Sequence, residues 1–251
     1  MTSNSANQKV ALISGAADHI GESIALRLAG QGLKVALWDQ PGERLSAVQK
    51  RVVEAGGQAV AVPVAGTTAQ AIQGLVGQVL SRFDRIDVLI NYTPEPPGKP
   101  LSAVTAQDFV GTIDSILGMQ GHLLREVMPG MRRNGYGRVI NIASLAYLGL
   151  AKGVDVAAAQ AGLFGLTRSV ALEAARDNVT VNSVVRGDIA TPTMSEEESL
   201  AIANGIPVKR LGTAADIANA VAFFAAERTK YVTGQTFFVC GGKSVYYSMS
   251  V

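Results

Sequence analysis

The chain reads Ser14-Gly15-Ala16-Ala17-Asp18-His19-Ile20-Gly21 between an aliphatic run, Val10–Ser14, and a helical pattern, Ile20–Gly30. A glycine at the first turn after a strand permits a tight bend and lets the backbone approach a pyrophosphate, whose charge the amino end of a helix favours. Asp39 ends the next strand-like run, where a carboxylate can accept hydrogen bonds from a ribose diol. This stretch predicts the first strand–turn–helix unit of a dinucleotide-binding fold.

Outward from this unit, short apolar runs alternate with longer helical patterns. The predicted strands are Val10–Ser14, Val35–Trp38, Ala59–Val64, Ile86–Asn91, Arg138–Ala143, Val179–Val185 and Thr236–Val239. The predicted helices are Ile20–Gly30, Glu43–Ala55, Ala69–Phe83, Ala106–Arg133, Ala157–Arg176 and Ala214–Glu227. Such alternation indicates a parallel sheet covered on both faces, which suits either an open doubly wound sheet or a closed barrel. The glycine-rich turn favours the open sheet. We therefore predict an α/β protein with one Rossmann-type domain over residues 1–251.

Composition excludes several classes of protein. The 251 residues are 48% hydrophobic with a formal charge of +2, which is unlike a disordered chain. The lone Cys240 excludes a disulfide framework and multi-cysteine metal sites, and we expect no metal. Lysine and arginine are dispersed, so we do not expect nucleic acid as a ligand. No apolar run is long enough to span a membrane, and the polar segment 1–9 does not resemble a secretory signal. We expect a cytoplasmic protein with a flexible segment at 1–9.

The chain resembles the short-chain dehydrogenase/reductase family over essentially its whole length. Ser14 to Gly21 is similar to the family's Thr-Gly-x-x-x-Gly-x-Gly turn, and Gly137 to Ser144 resembles the strand that carries the active-site serine. Further similar segments are Asn91 to Pro94, Ala161 to Glu173, Val181 to Thr191, Pro207 to Gly212, Tyr231 to Gln235 and Gly241-Gly242. The resemblance implies a nicotinamide-dependent oxidoreductase fold, with a substrate lid over about residues 192–212.

The family's chemistry requires four side chains, and this sequence keeps one of them. In the family, a tyrosine exchanges a proton with the substrate oxygen, and a lysine four residues later lowers the pKa of that phenol. A serine orients the substrate, and an asparagine holds a water that relays protons. The resemblance places these four groups at Val156, Gln160, Ser144 and Ile116. Valine has no proton to move and glutamine has no charge to lend, so we expect the chain alone to be inactive.

The cofactor residues implied by the resemblance are also incomplete. Five of the implied cofactor-binding positions are retained: Gly15, Gly21, Asp39, Asn91 and Thr191. At the other positions the residue type differs: His19 replaces a glycine, Ala65 an aspartate and Arg186 a proline, and Tyr92, Thr93 and Pro94 replace small residues. His19 either contacts a phosphate or crowds it. We expect no tight cofactor binding by this chain; if a dinucleotide binds, Asp39 favours NAD(H), because it would repel a 2′-phosphate.

Three hypotheses follow for function. The first is a non-catalytic subunit that assembles with an active paralogue into an NAD-dependent alcohol or hydroxyacyl dehydrogenase. We expect a heterotetramer or a homo-oligomer. Helix 157–175, with its small and apolar residues, the Phe237-Phe238-Val239 strand and Tyr246-Tyr247 would form the contacts. Heteromeric members of the family exist, for example the pair that oxidises a hydroxyacyl-CoA thioester in anaerobic toluene breakdown. The second is a self-sufficient oxidoreductase with relocated groups, Tyr147 and Ser144. The third is a regulator that binds a small ligand in the old cleft.

Overall fold

The computed structural model describes residues 8–248, with side chains described as far as Val245. A sheet of seven parallel strands has the order β3-β2-β1-β4-β5-β6-β7. Its strands are β1 Val10–Ser14, β2 Lys34–Asp39, β3 Gln58–Pro63, β4 Val88–Asn91, β5 Gly137–Ser144, β6 Val179–Arg186 and β7 Thr236–Val239. The predicted open, doubly wound sheet is confirmed.

Helices cover both faces of this sheet. They are α1 His19–Gly30, α2 Glu43–Glu54, α3 Ala69–Phe83, α4 Ala106–Ile113, α5 Met119–Arg133, α6 Val154–Ala174, α7 Glu196–Asn204, α8 Ala214–Ala225 and α9 Lys243–Ser248. One apolar cluster packs α1, α2 and α8 against the sheet, and a second packs α3, α5 and the carboxyl-terminal half of α6 against the other face. No helix among residues 8–248 combines the length and apolarity that a membrane crossing requires.

The predicted helix 106–133 is interrupted in the structure. A π-helical turn, Asp114–Gly118, separates α4 from α5 and carries Ile116. Both flanking residues keep right-handed helical dihedral angles, so the backbone continues in one direction while its hydrogen bonding changes. A periodic apolar pattern does not reveal such a turn, which explains the missed boundary.

The first turn of α1 is built by short polar side chains and glycines. Asp18 caps the helix by accepting a hydrogen bond from Ile20 N at 2.9 Å. Gly15 has a φ of +63°, which favours glycine. A Cβ at Gly21 would lie 2.1 Å from the carbonyl oxygen of Gly15, so only glycine allows the helix to approach the turn this closely.

Two predicted segments fall at or beyond the limits of the described chain. Most of the segment 1–9 lies outside it, whereas Gln8 donates to Gly32 O and Lys9 pairs with Glu227. The side chains of Tyr246 and Tyr247 also lie outside the described residues.

Candidate functional site

The candidate site lies at the carboxyl edge of the sheet. The chain crosses from one side of the sheet to the other between β1 and β4, and ligands of such folds bind at this switch point. Ser14, Asn91, Ser144 and Arg186 end β1, β4, β5 and β6, the four strands around it. The topology therefore brings Gly15, Asn91 and Ser144 to one edge of the sheet. Thr191 lies farther along the chain after β6, beside Thr193.

Asp39 and Asn91 are both held by neighbouring groups. The Asp39 carboxylate accepts hydrogen bonds from Ala17 N at 2.9 Å and from Gln40 N at 2.8 Å, and so supports the glycine-rich turn. Asn91 is fully buried and donates to Asn141 Oδ1, and Asn141 donates to Thr167. This chain of amides and a hydroxyl ties β4 and β5 to α6 below the site.

Tyr92 closes the glycine-rich turn. Its phenol donates a hydrogen bond to Asp18 Oδ1 at 2.8 Å, and its backbone N–H donates to Ser14 Oγ. Burial and then the charge of Asp18 raise the pKa of Tyr92, so the phenol stays a neutral donor. A Cβ added at Gly15 would meet the Tyr92 ring at 2.8 Å. The amino end of α1 is therefore occupied by a carboxylate and covered by an aromatic ring.

The four positions that the resemblance assigns to the catalytic side chains (the tetrad positions) lie close together, but three of them carry no proton-transfer group. Val156 and Ile116 are each 1% exposed and belong to one apolar cluster with Ala159, Leu163 and Val185. Gln160 Oε1 accepts a hydrogen bond from Ser144 N at 3.2 Å. The structure therefore brings together the positions that the resemblance assigned, and Ser144 is the one of the four that carries a hydroxyl.

Glu95 is the residue that sequence reasoning missed. It follows β4, and its Oε1 accepts hydrogen bonds from Ser144 Oγ and, at 3.0 Å, from Gln160 Nε2. Its Oε2 accepts from Arg186 Nη2 at 2.6 Å. One signal was available: an acid appears after β4, and a base, Arg186, appears at the end of β6, both next to the expected site.

A cavity of about 420 Å³ remains in front of this network. It is lined by Glu95, Ser144, Leu145, Ala146, Leu148, Gly149, Leu150, Arg186, Gly187, Asp188, Lys243 and Ser244. A second ion pair, from Lys243 Nζ to Asp188 Oδ2 at 2.6 Å, lies on its wall. The charged groups of the cavity are thus paired with each other, and leucines supply much of the remaining surface.

Tyr147 is placed as an aromatic packing residue. Its ring centroid lies 4.5 Å from that of Phe164 and 6.1 Å from that of Phe238. Burial, with a smaller contribution from Cys240, raises the pKa of Tyr147. A tyrosine that acts as a base near neutral pH needs a lowered pKa, so this environment opposes the relocated role. No cluster of three potential metal ligands occurs among residues 8–248.

Strand order, glycine-rich turn and serine-bearing β5 together define a Rossmann-type oxidoreductase fold. The family model described as enoyl-(acyl carrier protein) reductase matches residues 15–244. The chain belongs to the short-chain dehydrogenase/reductase family, as predicted.

Two relatives from Thauera aromatica are subunits of one enzyme. The chain is 52% identical over 251 residues, covering all of both chains, to (2S)-[(R)-hydroxy(phenyl)methyl]succinyl-CoA dehydrogenase subunit BbsC. It is 36% identical over 244 residues to subunit BbsD of the same dehydrogenase, covering 95% of this chain and 97% of BbsD. The expected similarity to a subunit of a heteromeric CoA-thioester dehydrogenase is confirmed.

A solved structure of the family contains a cofactor. A variant of actinorhodin polyketide ketoreductase with NADPH is 29% identical, superposes with a TM-score of 0.90, and covers 95% of this chain and 98% of its own. Nicotinamide dinucleotides are thus the cofactors of this fold.

Proposed function

We propose that this chain is a non-catalytic subunit that assembles with an active paralogue to form an NAD-dependent hydroxyacyl dehydrogenase. The observation that carries the proposal is the apolar cluster at the tetrad positions. Val156 and Ile116 are buried where the reaction needs a phenol and an amide. Gln160 carries no charge, and the guanidinium of Arg186 beside Ser144 is paired with Glu95. Hydride transfer to or from an alcohol requires a coupled proton transfer, which this pocket does not provide.

The residues around the cleft do not fit a nicotinamide dinucleotide. Phosphate would meet the Asp18 carboxylate at the end of α1 and the Tyr92 ring above Gly15. At the other end of the cleft, Glu95 and Arg186 form an ion pair beside Ser144. We infer that the chain binds no cofactor tightly.

Of the five retained cofactor positions, Gly15, Gly21, Asp39, Asn91 and Thr191, the first four have a role in the fold. Gly21 permits close packing at the turn, Asp39 supports the turn, and Asn91 ties β4 to β5. In this proposal they are remnants of a cofactor site.

The partner of this proposal docks on α6 and on β7. The exposed side of α6 carries Ala158, Ala161, Gly165 and Leu172, and Leu172 is 82% exposed. β7 is an edge strand, and half of Phe237 is accessible. Exposed apolar groups on two elements favour burial against another chain. BbsC and BbsD, as two subunits of one dehydrogenase, support a paralogue as the partner.

The proposed assembly is a heterotetramer, and its compartment is the cytoplasm, as expected from the sequence. Residues 192–212, which include α7, are assigned as the former lid.

The stoichiometry of cofactor binding tests this proposal. The chain is expressed with a family member from the same gene cluster, and the purified complex is titrated with NADH by calorimetry. We expect one NADH per pair of unlike chains, and turnover that is lost when the partner's catalytic tyrosine becomes phenylalanine. The control is each chain alone: this chain should show neither turnover nor a binding heat at millimolar NADH. Two cofactors per pair, no stable complex, or turnover by this chain alone would contradict the proposal.

A further inference from the structure

A second cavity lies at the amino edge of the sheet, opposite the candidate site. β5 begins at Gly137 and β6 at Val179, and both starts lie beside this cavity, far along the strands from Ser144. Its volume is about 430 Å³. It is lined by Tyr136, Arg138, Asn178, Glu227, Arg228 and Lys230, and we call it the amino-edge cavity.

Arg138 forms the inner wall of the amino-edge cavity. Its side chain is fully buried and donates hydrogen bonds to the carbonyl oxygens of Gly137 at 2.7 Å and Asn178 at 3.2 Å. Two longer bonds, both 3.4 Å, reach the carbonyl oxygens of Ala226 and Glu227. The carbonyl groups of Asn178, Ala226 and Glu227 follow the carboxyl ends of α6 and α8, whose partial negative charge holds the guanidinium in place. Within residues 8–248, no carboxylate pairs with Arg138.

Cationic side chains outnumber carboxylates around the mouth of the amino-edge cavity. Arg228 and Lys230 are exposed, and neither forms an ion pair in the described part of the chain. Lys9 pairs with Glu227 at 3.3 Å, and the Glu227 side chain is 80% exposed. Glu227 is the one carboxylate among the lining residues, and it is already engaged. Arg138, Arg228 and Lys230 therefore leave the cavity with a positive potential.

Tyr136 adds a hydrogen-bonding group without a partner. Its ring packs against the Arg138 guanidinium, with 4.4 Å from the guanidinium carbon to the ring centroid, and Lys9 Nζ lies 3.6 Å from the same centroid. Its phenol oxygen is buried and has no hydrogen-bond partner in the described structure. Buried hydroxyl groups in native proteins almost always have a partner, so this oxygen is a place where a ligand or a water is expected.

We propose that the amino-edge cavity binds a phosphate group, either inorganic or carried by a small phosphomonoester. Guanidinium groups donate in a planar fork that matches phosphate oxygens, and an ammonium and a phenol add further donors. Arg228 and Lys230 contact the anion from the mouth, Arg138 supplies a fixed charge behind it, and Tyr136 donates its phenol proton. This site is separate from the carboxyl-edge cleft and does not depend on the function proposed above.

Calorimetric titration of the full chain with inorganic phosphate in a low-salt buffer tests the site. The chain should show saturable binding, and Arg228→Ala with Lys230→Ala should raise the dissociation constant at least about tenfold, because two charge-assisted contacts are lost. The matched control is Arg27→Ala with Arg44→Ala, which removes the same charge from exposed positions on α1 and α2. That control should bind phosphate like the wild type. Absence of saturable binding, or equal loss in both double variants, would overturn the proposal.

Two further titrations test the role of Tyr136 and the source of the phosphate group. Tyr136→Phe should weaken phosphate binding severalfold without lowering the melting temperature of the free chain, since it removes a hydroxyl that has no partner. Unchanged phosphate affinity in that variant would contradict the assigned donor. Titration with glycerol 3-phosphate identifies the source of the phosphate: tighter binding than inorganic phosphate indicates a phosphomonoester, and weaker binding indicates the free ion.

Discussion

At the scale of single residues, the candidate site lacks proton-transfer groups at three positions and contains an ion pair between Glu95 and Arg186. The resemblance assigns the family's functional groups to the positions of Val156, Ile116 and Gln160, while Glu95 and Arg186 bring a carboxylate and a guanidinium to the same place. A mostly buried carboxylate is tolerated when it is paired and hydrogen-bonded, and Glu95 has three donors. The carboxylate of this ion pair therefore also accepts hydrogen bonds from Ser144 and Gln160.

Removing Glu95 should create a binding site for small carboxylates. Glu95→Ala leaves Arg186 without its partner, and we expect a loss of about 1–3 kcal/mol in the free energy of unfolding, because both side chains are about four-fifths buried. Acetate at tens of millimolar should restore part of this loss by binding to the native state, measured as a rise in melting temperature over equal sodium chloride.

The matched control for acetate rescue is Glu54→Ala. Glu54 pairs with Lys50 at 3.7 Å on the exposed side of α2, and its loss should cost a few tenths of a kcal/mol at most. Acetate should not stabilise this variant. An equal response of both variants to acetate would show that Glu95 fills no pocket.

The residue scale also shows what the sequence could reveal. The resemblance could assign the four catalytic positions because recognisable motifs of fixed spacing lie next to them. The sequence shows Glu95 only as an acid after β4. It does not show its hydrogen bonds, because the partners Ser144, Gln160 and Arg186 are 49, 65 and 91 residues away. Only the assembled sheet brings these four side chains together.

At the scale of helices and strands, local signals fixed most of the structure. β1, β7 and α3 have the predicted bounds, and other ends differ by a few residues, for example α6, which begins at Val154. Helices α4, α7 and α8 each begin with a reciprocal capping box, at Thr105, Ser195 and Thr213. The π-helical turn at Asp114–Gly118 was not predicted, because apolar residues recur with the same helical spacing in the sequence before and after it.

Stability should depend on pH through Asp108 at the start of α4. Hydrogen bonds from Lys99 and from Thr105 lower the pKa of Asp108 from 3.8 to about 2. A lowered pKa in the folded state stabilises the protein above the unfolded value, and this contribution disappears as pH falls through the folded value. We expect Asp108→Asn to be less stable than wild type above about pH 4, with the difference vanishing towards pH 2.

Urea unfolding at a series of pH values measures this difference. Glu43→Gln is the control, because Glu43 lies in the first turn of α2, whose amino end has no side-chain capping bond. Its difference from wild type should be small at every pH. A difference for Asp108→Asn that persists undiminished at pH 2 would exclude the capping box and ion pair as its origin.

At the scale of the whole molecule, sequence pattern and topology agree. Near-continuous apolar strands predicted a parallel sheet covered on both faces, and the glycine-rich turn distinguished the open sheet from a barrel. The surface is less predictable, because a helix pattern does not show which apolar residues remain uncovered. Leu172 on α6 and Phe237 on β7 lie within predicted elements, yet the structure leaves both accessible.

Leu172 should contribute to association and little to folding. Leu172→Asp places a charge on the surface proposed for the partner, and we expect the dissociation constant of the complex to rise at least about tenfold. The melting temperature of the separate chain should change little, since this side chain is mostly exposed. Sedimentation velocity with the paralogue measures the first quantity and calorimetry the second.

Leu200→Asp provides the comparison for Leu172. Leu200 is 60% exposed on α7, outside the proposed contact. Leu200→Asp should leave the dissociation constant of the complex unchanged. Equal weakening by both substitutions would indicate a general effect of charge and not a contact at α6.

The Glu95 carboxylate has a consequence for the behaviour of an assembled complex. A bound metabolite stabilises a cleft only while it is abundant. The Glu95 side chain is part of the polypeptide, so its stabilising contacts are always present. Glu95 joins the loop after β4 to the ends of β5 and β6 and to α6. In the proposed complex, starvation or a shift in redox state would therefore leave this subunit unchanged, and any response to metabolism would arise in its partner.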